Sequence, residues 1–334
     1  MPKTTHTPGS LCWFELASTD LGAAKNFYTS IFPWAVNDMP MGPSEVYTIF
    51  RVDGQDAAAA YTMPADQRSH GVPPNWMPYI MVKSADESTA RARALGATVH
   101  KEPFDVMDQG RMSVVQDPQG AMFCLWEKKK SGGTGITAVD GTAVWADLST
   151  TDQAAGAKFY GDLFGWKMVE GESMRPAKPG SYYHIVSGKE FIGGVPPAEY
   201  RQNGMPSHWM LYFQVPDCDG TVARVSALGG RVLLPTQTMG NTRKYAVLAD
   251  PQGATFAIVQ TLAGGQESSQ RKAANAAKAK PAKAAKAKKA PAKKAAKKAP
   301  AKKAAKAKAK AKPKKVARPA KRAKKSAAKK GKRR

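Results

Sequence analysis

The 334-residue chain lacks several features that define common classes of protein. It has only three cysteines, Cys12, Cys124 and Cys218, which lie far apart and form no CxxC pair. This argues against a disulfide scaffold or a zinc ribbon and favours buried thiols in a reducing compartment. An apolar run of about 18 residues is missing, so no transmembrane helix is expected. Residues 1–10 are polar and predict no signal peptide. We therefore expect a cytoplasmic protein.

Acidic residues are missing from the C-terminal region. From Arg271 to Arg334 the sequence has 30 Lys and Arg residues and neither Asp nor Glu. The whole chain has 52 basic and 26 acidic residues, so the part before Arg271 has 22 basic residues against all 26 acidic ones, a net charge of −4. The net charge of +26 therefore comes from the C-terminal region alone.

This region also lacks aromatic residues, and prolines interrupt its Lys and Ala residues. Like charges repel and proline breaks helices, so residues 263–334 are predicted to be a disordered tail. The tail resembles the C-terminal domain of linker histones. That resemblance implies non-specific binding to double-stranded DNA or another polyanion through counterion release, and a location at the nucleoid. A merely solvated tail is the alternative, and no membrane partner is expected. The residues expected to contact DNA are Lys283, Lys289, Lys293, Lys298, Lys303, Lys315, Arg322, Lys325 and Arg333.

The rest of the chain contains an internal repeat. The sequence Asp-Pro-Gln-Gly-Ala occurs at 117–121 and again at 250–254. Cys12–Leu16 likewise corresponds to Val144–Leu148, and further matches keep this register to about one residue. The repeat indicates a tandem duplication. We expect two domains at residues 9–130 and 139–262, joined by a linker at 131–138.

Each half divides into two similar units. Residues 11–17 alternate like a strand, Asp20 is a candidate N-cap, and apolar residues then recur at helical spacing. In the second unit Gly96 is the expected end of a helix, and the Asp-Pro-Gln-Gly turn joins the last two strands. The pattern predicts an α+β fold with four βαβββ modules.

These modules, the Phe-Tyr pairs at 27–28 and 159–160, and the Asp-Pro-Gln-Gly turn resemble the vicinal-oxygen-chelate superfamily. This group contains glyoxalases, bleomycin-resistance proteins and extradiol dioxygenases. The resemblance covers residues 9–262 and implies that the two modules of each half curl into an eight-stranded cup with the site on its concave face. Such sites form within one chain or between chains, so the sequence allows a homodimer.

Members of the superfamily that use a metal place His, Gln or Glu at positions that fall here on Trp13, Met77, Cys124, Trp145, Met210 and Ala257. Indole, thioether and methyl groups are poor ligands for Zn, Fe(II) or Mn. No metal or other cofactor is therefore predicted. A divalent cation held by His184 and His208 near Asp147 is the alternative.

Strand alternation places one acid among aromatic side chains in each half. A buried carboxyl has a raised pKa and can act as a general base, so Glu15, Asp147 and His208 are candidate catalytic residues. Arg111 and Lys244 are expected to be the base beside each acid, as ligand contacts or as structural partners. The expected ligand-binding residues are Trp13, Glu15, Met77, Tyr79, Arg111, Trp145, Asp147, His208, Met210, Tyr212 and Lys244.

Three functions remain open. The favoured one is a metal-independent, non-enzymatic protein that binds a small molecule in its cups and DNA through its tail. The second is a glyoxalase-like lyase or dioxygenase with a non-standard site. The third is an architectural nucleoid protein whose cups only mediate association.

Overall fold

The computed structural model describes residues 5–43, 45–171, 174–201 and 204–263. The tail from residue 264 onward, with all the Lys and Arg residues expected to contact DNA, lies outside them. The described residues form two eight-stranded mixed sheets, which confirms the expected α+β fold with paired modules. The first half contains β1 (Leu11–Ser18), α1 (Leu21–Ile31), β2 (Ala35–Pro40), β3 (Val46–Val52), β4 (Gln55–Thr62), α2 (Ala65–Ser69), β5 (Asn75–Val82), α3 (Ala85–Ala94), β6 (Thr98–Val106), β7 (Gly110–Gln116) and β8 (Met122–Lys128). The second half contains β9 (Ala143–Ser149), α4 (Gln153–Phe164), β10 (Lys167–Val169), β11 (Tyr183–Ser187), β12 (Glu190–Val195), β13 (His208–Gln214), α5 (Cys218–Ala227), β14 (Arg231–Met239), β15 (Arg243–Ala249) and β16 (Thr255–Thr261).

The two sheets have the same topology. Sheet 1 has the order β2-β3-β4-β1-β5-β8-β7-β6, and sheet 2 has the order β10-β11-β12-β9-β13-β16-β15-β14. In sheet 1, β1 runs parallel to β4 and antiparallel to β5, so the two modules meet at β1 and β5. Each sheet takes all its strands from one continuous half of the chain.

Local sequence signals set the ends of the elements. Asp20 caps α1 by accepting a hydrogen bond from the backbone N of Ala23 at 2.9 Å. Asp152 caps α4 in the same way through Ala155 N at 2.9 Å. Gly120 has φ +105° in the turn that joins β7 to β8, a conformation that favours glycine. The predicted start of α1 at Asp20 and this hairpin turn are confirmed.

The repeated Phe-Tyr and Asp-Pro-Gln-Gly motifs meet across the two halves. Tyr28 of α1 donates to Asp250 Oδ2 at 3.1 Å and accepts from Trp76 Nε1 at 3.0 Å. Tyr160 of α4 contacts Asp117 and Trp209 in the same way, both at 3.0 Å. Each half therefore places its first-helix tyrosine on the last hairpin turn of the other half.

One hydrophobic core spans both halves. The ring of Phe256 lies 5.5 Å from that of Tyr28, and the ring of Phe123 lies 5.5 Å from that of Tyr160. Because the helix-bearing faces of the two sheets pack together, their other faces point away from the shared core. The segment 131–138, predicted as a linker, is packed too, since Gly135 N donates to Asp56 O at 2.8 Å and Ile136 is only 5% exposed.

Across the described residues, every helix is too short or too polar to cross a lipid bilayer.

Candidate binding site in the two cups

The outward faces of the two sheets carry the acids and the aromatic residues expected from strand alternation. In sheet 1, β1 and β5 pair Trp13 with Tyr79 and Glu15 with Met77, which puts these four side chains on one face. We call this face cup 1. The corresponding face of sheet 2 is cup 2, where β9 and β13 pair Trp145 with Tyr212 and Asp147 with Met210.

Cup 1 contains a chain of hydrogen bonds that ends on a carboxylate. The indole Nε1 of Trp13 donates to the hydroxyl of Tyr47 at 2.9 Å. Tyr47 in turn donates to Glu15 Oε1 at 2.6 Å, and Tyr79 donates to Glu15 Oε2 at 2.6 Å. An indole N–H can only donate, so the chain is polarised toward the carboxylate. Both oxygens of Glu15 are thus held by phenols.

Cup 2 repeats this arrangement with an aspartate. Trp145 Nε1 donates to Asp147 Oδ1 at 2.8 Å and to the Tyr182 hydroxyl at 2.9 Å. Tyr182 also donates to Asp147 Oδ1, and Tyr212 donates to Oδ2 at 2.9 Å. We refer to each set of one tryptophan, one acid and two tyrosines as a carboxylate network. Its members are Trp13, Glu15, Tyr47 and Tyr79 in cup 1 and Trp145, Asp147, Tyr182 and Tyr212 in cup 2.

Burial changes the pKa of the acids and the tyrosines in both networks. Desolvation raises the pKa of Glu15, although the hydrogen bonds from Tyr47 and Tyr79 oppose the shift. Desolvation also raises the pKa of Asp147. The pKa of Tyr79 is raised well above its ordinary value, because the phenol is desolvated and lies near Cys124 and Glu15. The phenols are therefore neutral donors, and each acid is the acceptor of its network.

Sulfur atoms border the network of cup 1. Cys124 of β8 pairs with Tyr79 of β5 and places its Sγ 3.2 Å from Met77 Sδ. Desolvation raises the pKa of the Cys124 thiol well above its ordinary value, so the thiol is inert at neutral pH. Ala257 takes the equivalent position in sheet 2, where it pairs with Tyr212. Cup 1 therefore has a thiol where cup 2 has a methyl group.

His208 and His184 lie in the second half but neither bonds to Asp147. His208 pairs with Ser149 beside the network and donates from Nδ1 to the Pro206 carbonyl at 2.9 Å. His184 packs edge-on against Trp145, with ring centroids 6.1 Å apart, and its Nδ1 accepts from Gly171 N at 3.0 Å. Burial lowers the pKa of both imidazoles.

The structure places the two expected bases outside the cups. Arg111 pairs with Glu127 on the helix side of sheet 1, where its guanidinium bonds Asp86 of α3 at 2.7 and 2.8 Å. Lys244 similarly bonds Asp219 of α5 at 2.6 Å. The placement of a base beside each acid was therefore wrong. Successive residues of a strand point to opposite faces of the sheet. Met112, the neighbour of Arg111 on β7, joins the cluster in cup 1, so Arg111 lies on the helix side.

Two members of the networks, Tyr47 and Tyr182, were absent from the expected set. Tyr47 lies on β3, which is separated from β1 by β4. The only signal in the sequence was a tyrosine at an alternating position of a short strand, and the tyrosine-rich stretch 182–184 gave the same signal in the second half. Neither pattern shows that the phenol reaches an acid two strands away.

The donor groups of the cups do not fit a hard divalent cation. Such an ion needs several oxygen or imidazole donors converging at about 2 Å. In cup 1 the neighbours of Glu15 are indole, phenol, thioether and thiol groups, and both carboxylate oxygens already accept from phenols. Within the described ranges, no three His, Cys, Asp or Glu side chains lie close enough to hold a metal ion together.

Comparison with known proteins identifies the family that the fold and the cups indicate. Residues 10–125 and 142–258 each match the model of the Glyoxalase/Bleomycin resistance protein/Dioxygenase superfamily. The chain belongs to this superfamily. It is 35% identical over 262 residues to "Putative glyoxylase CFP32" of Mycobacterium tuberculosis, which covers 78% of this chain and 98% of that protein. It is 33% identical over 272 residues to the anthracycline biosynthesis protein DauV of Streptomyces sp. strain C5, covering 77% and 95% respectively.

Solved structures show the same fold at low sequence identity. The Mn(II)-bound glyoxalase of Novosphingobium aromaticivorans has a TM-score of 0.54 and 14% identity, and the match covers 76% of this chain and 83% of that one. The 2,3-dioxygenase LapB of Pseudomonas sp. KL28 also has a TM-score of 0.54, with 16% identity over 76% and 93% of the two chains. These likenesses concern the fold of the two sheets.

Proposed function

We propose that the protein binds a small organic molecule in its cups and recognises it through the carboxylate networks. The observation that carries this proposal is that one tryptophan, one acid and two tyrosines form a hydrogen-bonded network in both halves, with a phenol on each carboxylate oxygen. An acid surrounded by aromatic rings on an outward sheet face is typical of a ligand pocket. Burying a carboxyl group costs free energy, and the packing of the sheet would not by itself require an acid at this position.

The names of the relatives suggest the kind of molecule to test. Two similar proteins are named for anthracycline biosynthesis, and two are named as glyoxylases. Polycyclic aromatic compounds and small carbonyl compounds are therefore the first two classes for a ligand screen. The aromatic side chains of the cups favour a ligand with an aromatic part, which would stack on Trp13 or Trp145.

The test is a ligand-observed NMR screen with the full chain. Compounds that bind the wild type should lose binding in the double variant Glu15→Gln/Asp147→Asn. The matched control is Asp86→Asn/Asp219→Asn, which removes two acids from the helix sides of the sheets and should keep binding. Binding that survives in the cup variant, or a screen without any binder, would contradict the proposal.

A glyoxalase-like lyase or dioxygenase is the second candidate. The raised pKa of Glu15 and Asp147 favours it, since desolvation makes each carboxylate a stronger base than an exposed one. Metal analysis of the purified full chain separates the two functions. Stoichiometric Zn, Fe, Ni or Mn, together with turnover of a carbonyl or catechol substrate that is lost in Glu15→Gln or Asp147→Asn, would favour the enzyme.

We also propose that the basic tail binds double-stranded DNA non-specifically. Its support is compositional, because residues 271–334 have 30 basic and no acidic side chains, and such a region gains free energy by releasing counterions from DNA. The full chain should bind duplexes of unrelated sequence equally and lose affinity steeply between about 50 and 200 mM salt. A chain ending at Leu262 should not bind. Equal retention of both chains on DNA at moderate salt would contradict a role of the tail.

A further inference from the structure

The two cups differ in one charged side chain. Arg243 opens β15 on the face of cup 2, where its guanidinium carbon lies 5.9 Å from the centroid of the Trp145 ring. This distance is within the range of a cation–π interaction. The equivalent residue of sheet 1 is Gly110, which opens β7 in the same way and has no side chain. The tryptophan of cup 1 therefore lacks the cation that the tryptophan of cup 2 has.

An aromatic ring takes the place of that cation in cup 1. The indole of Trp126 lies over Gly110, so closely that a Cβ added to Gly110 would come within 2.3 Å of the ring. Trp126 is only 8% exposed, and its Nε1 donates to the Ser131 carbonyl at 3.1 Å. In sheet 2, Val259 pairs with Tyr245 as Trp126 pairs with Met112, so it is the smaller counterpart. Cup 1 thus has an additional π face where cup 2 has a positive charge.

The acid of cup 1 also lacks a protein cation. Among the residues that the structure describes, no Lys, Arg or His forms an ion pair or hydrogen bond with Glu15, whose side-chain partners are Tyr47 and Tyr79. The other ionisable neighbours are the phenol of Tyr61 and the thiol of Cys124, both neutral at physiological pH. Trp13 and Glu15 are half-buried on the cup face.

We propose that cup 1 binds the guanidinium or ammonium group of an organic cation between Trp13 and Glu15, with the cation against the Trp13 indole as the guanidinium of Arg243 lies against the Trp145 indole in cup 2. This inference rests on the proposed function and names the ligand class of cup 1. The cation would gain cation–π attraction from the indole and a charge-assisted contact with the carboxylate. Cup 2 offers its aromatic face to the protein's own arginine and is not expected to bind such a cation.

The test compares two probes of equal shape, the benzylguanidinium cation and neutral benzylurea. Calorimetric titration of the full chain should show one benzylguanidinium site per chain and about tenfold weaker binding of benzylurea. Glu15→Gln should reduce this preference, with the cation–π attraction of Trp13 remaining, whereas Asp86→Asn, which removes one negative charge from the helix side, should keep it in full. Equal affinity for the two probes, or an unchanged preference in Glu15→Gln, would overturn the inference.

A second measurement, the NMR signal of the Trp13 indole, distinguishes a failure of this inference from a failure of the proposed function. If neutral compounds from the screen shift the NMR signal of the Trp13 indole but benzylguanidinium does not bind, the cation specificity is wrong and small-molecule binding stands. If no compound of either kind shifts that signal, both proposals fail for cup 1. Binding of benzylguanidinium at two equivalent sites per chain would contradict the role given to Arg243.

Discussion

At the scale of single residues, the carboxylate networks show what strand alternation predicts and what it misses. The period of a strand puts Trp13 and Glu15 on one face, so their place in the cup followed from the sequence. The partner Tyr47 did not, because its phenol reaches Glu15 from β3, which is separated from β1 by β4. Contacts between residues two strands apart depend on the order of strands in the sheet, and local periodicity contains no information about that order.

The raised pKa of the two network acids gives a test on stability. A carboxyl with a raised pKa keeps its proton in the folded state at pH values where the unfolded chain has lost it. The free energy of unfolding therefore falls as pH rises from about 4, the ordinary range of Asp and Glu, through the folded pKa. In Glu15→Gln/Asp147→Asn this fall should be smaller, as measured by urea denaturation between pH 4 and 8.

The matched control for this pH dependence is Asp86→Asn. The bond to Arg111 lowers the pKa of Asp86, so this acid contributes in the opposite direction. A cup variant with an unchanged or steeper pH slope than the wild type would contradict the electrostatic description of the networks.

A second residue-scale prediction concerns Tyr28. Its hydroxyl accepts from Trp76 and donates to Asp250, so Tyr28→Phe leaves one buried donor and one buried acceptor without a partner. The variant should lose about 1–3 kcal/mol of unfolding free energy in chemical denaturation. Tyr200→Phe is the control, because Tyr200 is 75% exposed and its hydroxyl has no comparable role. Equal stability of the two variants would show that the Tyr28 contacts contribute little.

At the scale of strands and helices, close approach between elements positions the network of cup 2. Asp147 of β9 pairs with Gly194 of β12, and a Cβ on Gly194 would lie 2.0 Å from the Tyr182 hydroxyl. The glycine therefore leaves the space through which the phenol reaches the acid. The sequence showed two adjacent glycines in a short strand, but it could not show which side chain occupied the space above them.

Gly194→Ala should accordingly displace Tyr182 from Asp147. We expect a loss of about 1–3 kcal/mol of stability from overpacking and a shift of the Trp145 indole signal in NMR spectra. Gly132→Ala is the control, since a Cβ at Gly132 meets no atom within 4 Å. An unperturbed Trp145 signal in the Gly194 variant would mean that the phenol has another route to the carboxylate.

At the scale of the whole molecule, the duplicated halves form one structural unit. The sequence showed the duplication and the succession of strands and helices along each half, because the repeated motifs are local. It did not show that the first helix of each half packs on the last hairpin of the other. The periodicity within one copy contains no information about contacts between copies. Residues 131–138, which we predict to be the linker, also pack on the first half through the bond from Gly135 N to Asp56 O.

This shared core predicts that neither half folds independently. A fragment of residues 1–138 would expose Phe27, Tyr28 and Phe123, which the second half covers in the full chain. Separate fragments 1–138 and 139–263 should show no cooperative thermal unfolding, and mixing them should restore a transition in circular dichroism. A cooperative transition in either fragment alone, at the temperature of the full chain, would contradict the description of one unit.

The most direct test of the central claim, that the outward cups with their carboxylate networks hold the ligand, follows the indole N–H signals of the seven tryptophans during titration with a compound from the screen. Trp13 and Trp145 donate into the networks, whereas Trp76 and Trp209 donate to Tyr28 and Tyr160 in the shared core. The account predicts that a bound ligand shifts the signal of Trp13, Trp145 or both and leaves Trp76 and Trp209 in place. A ligand that shifts the core tryptophans while both cup tryptophans stay unchanged would contradict it.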